Sequence, residues 1–146
     1  MSENNKQLKN DFLGLAQATA GLLEPVSGLP NHHHHSKAEE SLLLAMHWLD
    51  QAGQFLQLEE PEERPDAHKF KVTIPLHEKV DQIKRYVDGS MAMTRHLLMH
   101  VQVERAHLLF YNALTCAHNE LVTCSFWLER AVKFHRIKYI SRNGNP

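Results

Sequence analysis

The sequence predicts an all-α protein, an antiparallel bundle of four main helices. Apolar residues recur at steps of three and four along most of the chain, which is the spacing of one face of an α-helix. Residues 76–140 contain no proline and a single glycine. A straight helix of that length would span about 95 Å at roughly 1.5 Å per residue, so this stretch must fold back on itself.

The first half of the chain predicts one helical hairpin. Apolar spacing starts near Asp11 and is stopped by Pro25, which gives a short first helix. After the turn-rich segment PVSGLPN, Ser36 and Glu39 form a capping box, so the second helix is expected to start at Ser36. Its apolar stripe is wide enough to face a core. We therefore expect a first hairpin over residues 11–58.

Residues 59–75 separate this hairpin from the rest of the chain. The run QLEEPEERPD is acidic and broken by proline, which is typical of a solvated linker, and FKVTIP alternates briefly like an extended segment. Two apolar stripes then predict a second hairpin over residues 76–140, with its junction between Val103 and Asn112. Both hairpins fit in a single helical domain, residues 1–146.

The two halves resemble each other. At an offset of 79 residues, AEESLLLAMHWLDQAGQF aligns with AHNELVTCSFWLERAVKF, with six identities in 18 positions. The identical pairs include Trp48 with Trp127 and Phe55 with Phe134. A duplicated helical hairpin explains this match, and so does the shared period of two amphipathic helices, which favours leucine and alanine at the same positions.

Composition limits the function classes. The chain is 42% hydrophobic, enough to bury a core without metal or disulfide. Its 16 basic and 17 acidic residues give a net charge of -1, so general nucleic-acid or membrane binding is not expected. Cys116 and Cys124 fit a helical pattern as reduced thiols. With no signal-like N-terminus and no long apolar run, a cytoplasmic protein is predicted.

Two histidine-rich segments are candidate metal sites. The run His32 to His35 precedes a helix, and neutral imidazoles bind zinc or nickel. Adjacent histidines in a loop cannot all reach one ion, so partners from elsewhere would be needed, and a solvated loop or an anion contact is the favoured interpretation. The second candidate is a set on one helical face: His96, His100, Glu104 and His107.

Glu104 and His107 also form the Glu-x-x-His pair of carboxylate-bridged di-iron bundles. Such bundles need a second pair of this kind, and the sequence has none. An exposed polar stripe is therefore preferred, and a metal site remains the alternative.

Arg130 and His135 have the spacing Arg-x-x-x-x-His. This resembles the loose signature of helical HEPN-type ribonucleases, in which the arginine would hold phosphate and the histidine would act as acid or base. The other interpretation is a basic helix end that complements the helix dipole. The sequence has no Gly-rich phosphate loop, no recognisable Ser/His/Asp constellation and no zinc-type cysteine pairs, so a protein without catalysis or cofactor is favoured.

The second helix carries a pattern found in a known family. Leu29 and Pro30 are followed by S-x-A-x-x-x-L-x-x-A-M-x-W from Ser36 to Trp48. This resembles the hairpin domain of phage cyclic-nucleotide sponges, the anti-CBASS and anti-Thoeris proteins that capture bacterial immune second messengers. Family members usually carry an arginine shortly before the serine, where this chain has His33.

The resemblance implies a phage anti-defence protein that sequesters a cyclic oligonucleotide or a cyclic ADP-ribose-type molecule without catalysis, in the host cytoplasm and as a homo-oligomer. Phosphate would then lie near His33, Ser36 and Lys37 at the start of the second helix. Further contacts are expected from the third helix, from residues chosen only for their chemistry: Arg85, Tyr86 and Arg95.

Two alternatives stay open beside sequestration. One is the helical ribonuclease described above. The other is an interaction protein that binds a host defence component directly, with the acidic linker or the basic C-terminal segment supplying charge complementarity.

Overall fold

The computed structural model describes residues 3–58, 66–70, 73–101 and 107–143. It confirms an all-α bundle with four main helices, and the described ranges contain no β-strand. The helices are α1 (Glu3–Ala20), the short α2 (Leu23–Ser27), α3 (His33–Phe55), α4 (Leu76–His100) and α5 (Leu108–Asn143). Within the described part of the chain, no helix is long and apolar enough to cross a membrane.

The long helix α5 is the axis of the bundle. Its 36 residues span about 54 Å, and both α3 and α4 pack extensively along it. The N-terminal part of α5 shares a core cluster with the C-terminal parts of α3 and α4, and its middle and C-terminal part shares a second cluster with their N-terminal parts. Both helices therefore run antiparallel to α5.

The two core clusters lie one after the other along the bundle. The first is built by α2, the first halves of α3 and α4, and α5 from Leu121 to Val132. The second joins Phe12 and Leu15 of α1 to the far ends of α3 and α4 and to Phe110 at the start of α5. The Phe12 and Phe110 rings meet edge to face at 5.6 Å between centroids. Together the clusters bury the apolar faces that the periodicity predicts.

Helix α3 begins earlier than the capping box predicts. The N-cap is His32, whose Nδ1 accepts a hydrogen bond from the backbone N–H of His34 at 3.1 Å. The N–H of Ser36 donates to the carbonyl of His32, so Ser36 already lies within the helix and does not cap it. The prediction of a start at Ser36 was wrong because an imidazole nitrogen accepts from the free N–H groups of the first turn as a serine hydroxyl does.

The C-terminal end of α3 is closed by a backbone motif. Leu58 N–H donates to the Gly53 carbonyl and Gln57 N–H to the Gln54 carbonyl, which is the Schellman pattern. Gln57 has φ 58°, in the left-handed region where glycine is usual. The helix therefore stops at Phe55, and the next three residues form the turn that ends the predicted hairpin.

The first segment is longer than predicted, and Pro25 does not end a helix. Helix α1 starts at Glu3 rather than near Asp11, and the chain re-enters a short helix at Leu23. Pro25 is the third residue of α2. It is tolerated there because the first N–H groups of a helix have no intrahelical acceptor, so the missing N–H of proline costs little.

The junction in the second hairpin lies between His100 and Leu108. The start of α5 falls inside the predicted interval, whereas α4 ends before it. Residues 59–65 of the linker and positions 71–72 of the predicted extended segment lie outside the described residues. Cys116 and Cys124 are both free thiols.

Candidate functional site

The histidine run meets α5 in a small cluster. His32 and His35 lie on the first turn of α3, and His135 reaches them from the C-terminal part of α5. One ligand-capable atom of each of the three lies within 4.8 Å of the others. His35 is buried, whereas His32 and His135 are half-buried. We call these three residues the histidine cluster.

Hydrogen bonds fix the tautomers inside the histidine cluster. His35 Nδ1 lies 2.7 Å from the carbonyl oxygen of Pro30 and must donate to it, since a carbonyl only accepts. In the neutral ring, Nε2 of His35 then carries the lone pair. His135 Nε2 lies 2.8 Å from it and donates. The two rings thus link α3 to α5 across 100 residues of sequence.

Burial and neighbouring charge keep the His35 and His135 imidazoles neutral. Desolvation, followed by the positive charge that His35 would carry, lowers the pKa of His135 to about 4. Desolvation is also the main cause that lowers the pKa of His35, and its bond to Pro30 opposes the shift. His35 and His135 are therefore uncharged nitrogen donors near neutral pH.

Aromatic rings enclose the cluster on one side. The His32 ring lies 4.7 Å from the Phe134 ring, and His34 stacks on Trp127 with 5.8 Å between centroids. Exposed His33 meets the edge of the same tryptophan at 5.5 Å. Trp127 and Phe134 thus cover one side of the His34 and His32 rings.

A second candidate site lies on another side of the bundle, between α1, α4 and residues 66–70. This segment is anchored by His68, whose N–H donates to the Gly21 carbonyl and whose Nε2 donates to the Ala18 carbonyl, both at 3.0 Å. Beside it lies a cavity of about 400 Å³. We call it the α1–α4 cavity, and its lining residues are Ala18, His68, Arg85, Tyr86, Gly89, Ser90 and Met93.

The α1–α4 cavity combines an aromatic face with a cation. The rings of His68 and Tyr86 stack with 4.8 Å between centroids, and Phe70 meets Tyr86 edge-on at 5.3 Å. Tyr86 remains 50% exposed. Arg85 also lines the cavity, and its guanidinium pairs with Asp81 at 3.1 Å. The site therefore offers a flat apolar surface and a positive charge at its rim.

Residues 66–70 separate this cavity from a neighbouring one of about 540 Å³. His68 lines both. The neighbouring cavity adds Lys69 and Lys79, together with the carboxylates of Glu24 and Asp66. Cations thus line both of the cavities that share His68.

No family model, curated protein or solved structure matches this chain. The side chains themselves are what indicate a function.

The predicted ligand residues fall into separate places. Arg85 and Tyr86 line the α1–α4 cavity together. Ser36 and Lys37 are exposed near the start of α3, where Lys37 pairs with Glu40 at 3.7 Å. Within the described ranges, no hydrogen bond, ion pair or ring contact joins His33, Ser36 or Lys37 to α4. The structure therefore presents two candidate sites where the sequence predicted one.

The sixth predicted ligand residue, Arg95, lies further along α4. It is exposed there, and its charge acts on His118 of α5.

Only part of the metal site predicted around α4 lies within the described residues of that helix. His96 and His100 are exposed, and their rings lie 4.2 Å apart, as the spacing of four predicts. Glu104 lies outside the described residues, and His107 precedes α5 rather than continuing α4. The four residues do not share one unbroken helix, which was the assumption that placed them on one face.

Arg130 and His135 point in different directions from α5. Five residues correspond to about 140° around a helix. Arg130 is exposed and lies over the Phe126 ring at 5.4 Å, while His135 faces His35. The ribonuclease hypothesis has a direct test: the purified protein should cleave RNA, and His135→Ala should abolish cleavage.

Sequence reasoning missed the pairing of the histidine run with His135. The signal present was the spacing of three between His32 and His35, which places both on one side of a helical turn. Because the helix was expected to start at Ser36, His32 and His35 were assigned to a loop, where a spacing of three does not place two side chains on the same side. His68 and Gly89 were missed as cavity residues because one lies in the predicted linker and the other is an isolated helical glycine.

Proposed function

We propose that this protein binds and sequesters a nucleotide-type second messenger in the α1–α4 cavity, without chemical conversion. The observation that carries the proposal is the stacked pair of Tyr86 and His68 in a cavity that Arg85 also lines. A base needs a flat face on which to stack, and a phosphate needs a cation, and these are the two recognition elements present. The sponge-like pattern in α3 supplies the ligand class.

The size and polarity of the cavity support this ligand class. Its volume of about 400 Å³ falls in the range of roughly 300–1,000 Å³ that is usual for small-molecule sites. Gly89, Met93 and Ala18 give it an apolar floor. Such a floor releases water when a base is inserted, so stacking and burial act together.

The charges around the cavity suit a ligand with more than one phosphate. Arg85 is on one side, and Lys69 and Lys79 line the neighbouring cavity on the other side of His68. Asp81 neutralises much of the Arg85 charge in the free protein. Phosphate binding would therefore require the guanidinium to exchange or share this carboxylate, and affinity should fall as the salt concentration rises.

The first experiment is thermal unfolding of the metal-free protein against cyclic dinucleotides, cyclic trinucleotides and cyclic ADP-ribose isomers. A ligand at 100 times its dissociation constant adds about 2.7 kcal/mol to the stability of the folded state. For a chain of this size the melting temperature should rise by roughly 5–10 °C. A selective rise with one ligand class, and recovery of that ligand unchanged, would support sequestration.

Filling the cavity gives a test that leaves the polar groups in place. A Cβ on Gly89 meets nothing within 4 Å, and the same holds for Gly14 on the exposed side of α1. Gly89→Leu should fold, because leucine favours a helix over glycine by about 0.5–1 kcal/mol, but it should abolish the ligand-induced shift. Gly14→Leu should gain similar stability and keep the shift.

Two cation variants distinguish the candidate sites. Arg85 and Lys37 are both exposed and both pair with a carboxylate on their own helix. Arg85→Ala should weaken binding at least about tenfold, the equivalent of losing one charge-assisted hydrogen bond, whereas Lys37→Ala should not. A flat ligand panel, or loss of binding only in Lys37→Ala, would contradict the proposed location.

A second candidate function, direct binding of a protein partner, is favoured by the outer surface of α5. Val122, Phe126, Ile137 and Ile140 are exposed and lie within about 60° of one another around the helix. We call them the α5 stripe. Lys133 interrupts the stripe between Phe126 and Ile137, and Arg130 lies at its edge, which suits a partner that carries acidic groups. Exposed apolar residues gathered on one helix face are typical of an interaction surface.

The α5 stripe is tested by Phe126→Glu, with the exposed neighbour Thr123→Glu as control. Partner capture that survives removal of all small molecules, and that is lost only in Phe126→Glu, would support direct inhibition of a defence protein. Sedimentation of the same variants separates this outcome from self-association, in which Phe126→Glu would instead convert an oligomer to monomers.

A further inference from the structure

We propose that His32, His35 and His135 form a binding site for one divalent transition-metal ion of the zinc, nickel or copper type, with three imidazole ligands and an open fourth position. The site is distinct from the α1–α4 cavity and would join the start of α3 to the C-terminal part of α5. It does not depend on the nucleotide proposal.

The distances are close to those that coordination requires. Three nitrogens bound to zinc at about 2.0–2.1 Å in a tetrahedral arrangement lie about 3.3–3.4 Å apart. In the structure, His35 and His135 already bring their Nε2 atoms to 2.8 Å, and all three residues offer ligand atoms within 4.8 Å of one another. Small side-chain rotations of the half-buried His32 and His135 would therefore close the site.

His35 has the outer hydrogen bond that is usual for a metal ligand. Its Nδ1–H donates to the Pro30 carbonyl, which fixes the ring and presents the Nε2 lone pair to the cluster. The residue is 3% exposed and held by the helix start, so its direction is set before an ion arrives. The fixed direction of His35 distinguishes the histidine cluster from a flexible histidine run, in which any of the histidines could bind the metal.

Metal binding would replace two existing hydrogen bonds. His135 now donates its Nε2 proton to His35, and to coordinate through Nε2 it must carry that proton on Nδ1 instead. His32 accepts the His34 N–H at Nδ1. Coordination through that atom would displace the N–H, and coordination through Nε2 would require a proton at Nδ1. The α3 N-cap and metal binding are therefore linked.

The surrounding charges determine which ligand occupies the fourth coordination position of the metal ion. Three neutral imidazoles leave the ion with its full charge, and Lys138 adds positive charge near His135. This arrangement weakens binding relative to thiolate sites and favours an anion, such as hydroxide or chloride, at the fourth position.

The experiment uses the full chain without a histidine tag, stripped of metal by a chelator and titrated with zinc chloride in a calorimeter. We expect one equivalent to bind. Cobalt(II) chloride serves as a second probe, because a four-coordinate cobalt site gives intense visible d–d absorption without the charge-transfer bands of thiolate ligands. Zinc should also raise the melting temperature, since binding to the folded state alone stabilises it.

The most informative variant is His32→Asn. Asparagine is a strong N-cap residue, so the helix start is preserved while one imidazole is removed. Zinc affinity should fall by at least about 100-fold, the upper range seen when even outer-sphere partners of a ligand are lost. His135→Gln should have the same effect, with circular dichroism to confirm its fold. The matched control is His33→Gln, which lies in the same run but outside the histidine cluster.

Unchanged zinc affinity in His33→Gln together with its loss in His32→Asn would support the proposal. No binding to the wild-type chain would overturn it. Equal weakening by His33→Gln and His32→Asn would also overturn it, because that result describes a flexible run. Loss of binding only in His96→Gln would place the metal site on α4 and would likewise overturn the proposal.

Discussion

Among the residues that the structure describes, Gln57 is the one non-glycine residue with a positive φ. It holds φ 58° at the end of α3, a conformation that costs a residue with a Cβ about 1–2 kcal/mol. Gln57→Gly should raise the free energy of unfolding by about 0.5–1 kcal/mol, measured by urea denaturation. Gln54→Gly, inside the same helix end, should instead lower it by about 1 kcal/mol. A loss of stability in both variants would contradict the assigned Schellman turn.

The two cysteines should differ in reactivity. Burial, reinforced by the nearby Asp88 carboxylate, raises the pKa of Cys124 to about 12, so almost none of it is thiolate at pH 8. Cys116 is only half-buried. We expect a thiol reagent to titrate one group in the native protein and the second only on unfolding. Cys116→Ser should remove the native reaction, and persistence of the reaction would show that Cys124 becomes accessible without unfolding.

At the scale of elements, Gly21 fixes how residues 66–70 dock on the end of α1. A Cβ there would lie 2.9 Å from the Asp66 carbonyl oxygen and 3.3 Å from the His68 ring. Gly21→Ala should therefore displace the segment, lower stability by about 1–3 kcal/mol and weaken any ligand that stacks on Tyr86. Gly14→Ala is the control and should be stabilising by about 0.5–1 kcal/mol. Equal effects of the two variants would show that the segment tolerates a Cβ.

The element boundaries show which local signals can mislead. Ser36 and Glu39 match a capping box, but His32 caps the helix one turn earlier and makes the serine an interior residue. Pro25 predicts the end of the first helix, but it lies in the first turn of α2. In both cases the residue type is compatible with a position at a helix boundary and with a position inside the first turn. The neighbouring backbone hydrogen bonds determine which of the two it occupies.

The stability of the whole molecule should decrease in mild acid. Outside the histidine cluster, burial and then the charge of Arg95 lower the pKa of His118 below 6.5. The unfolded chain therefore binds a proton at a higher pH than the folded chain, so stability is fully present above about pH 6.5 and is lost as pH falls towards the folded-state pKa. His118→Gln should flatten this part of the profile in urea denaturation of metal-free protein. An unchanged slope would assign the acid sensitivity to other groups.

The sequence by itself determined the helical class and the chemical types available for a site. These features are local, since helical hydrogen bonds and apolar stripes repeat within a few residues. Even Arg85 and Tyr86 could be chosen from chemistry alone, because neighbouring residues on one helix stay near each other in any fold.

Only the tertiary structure decided which distant groups meet. His135 reaches His35 across 100 residues, and His68 stacks on Tyr86 from a segment that the sequence describes as linker. Such contacts depend on how each helix is rotated about its own axis and on how α3 and α4 pack along α5. That rotation is set by the fit of the whole core, which no local pattern specifies.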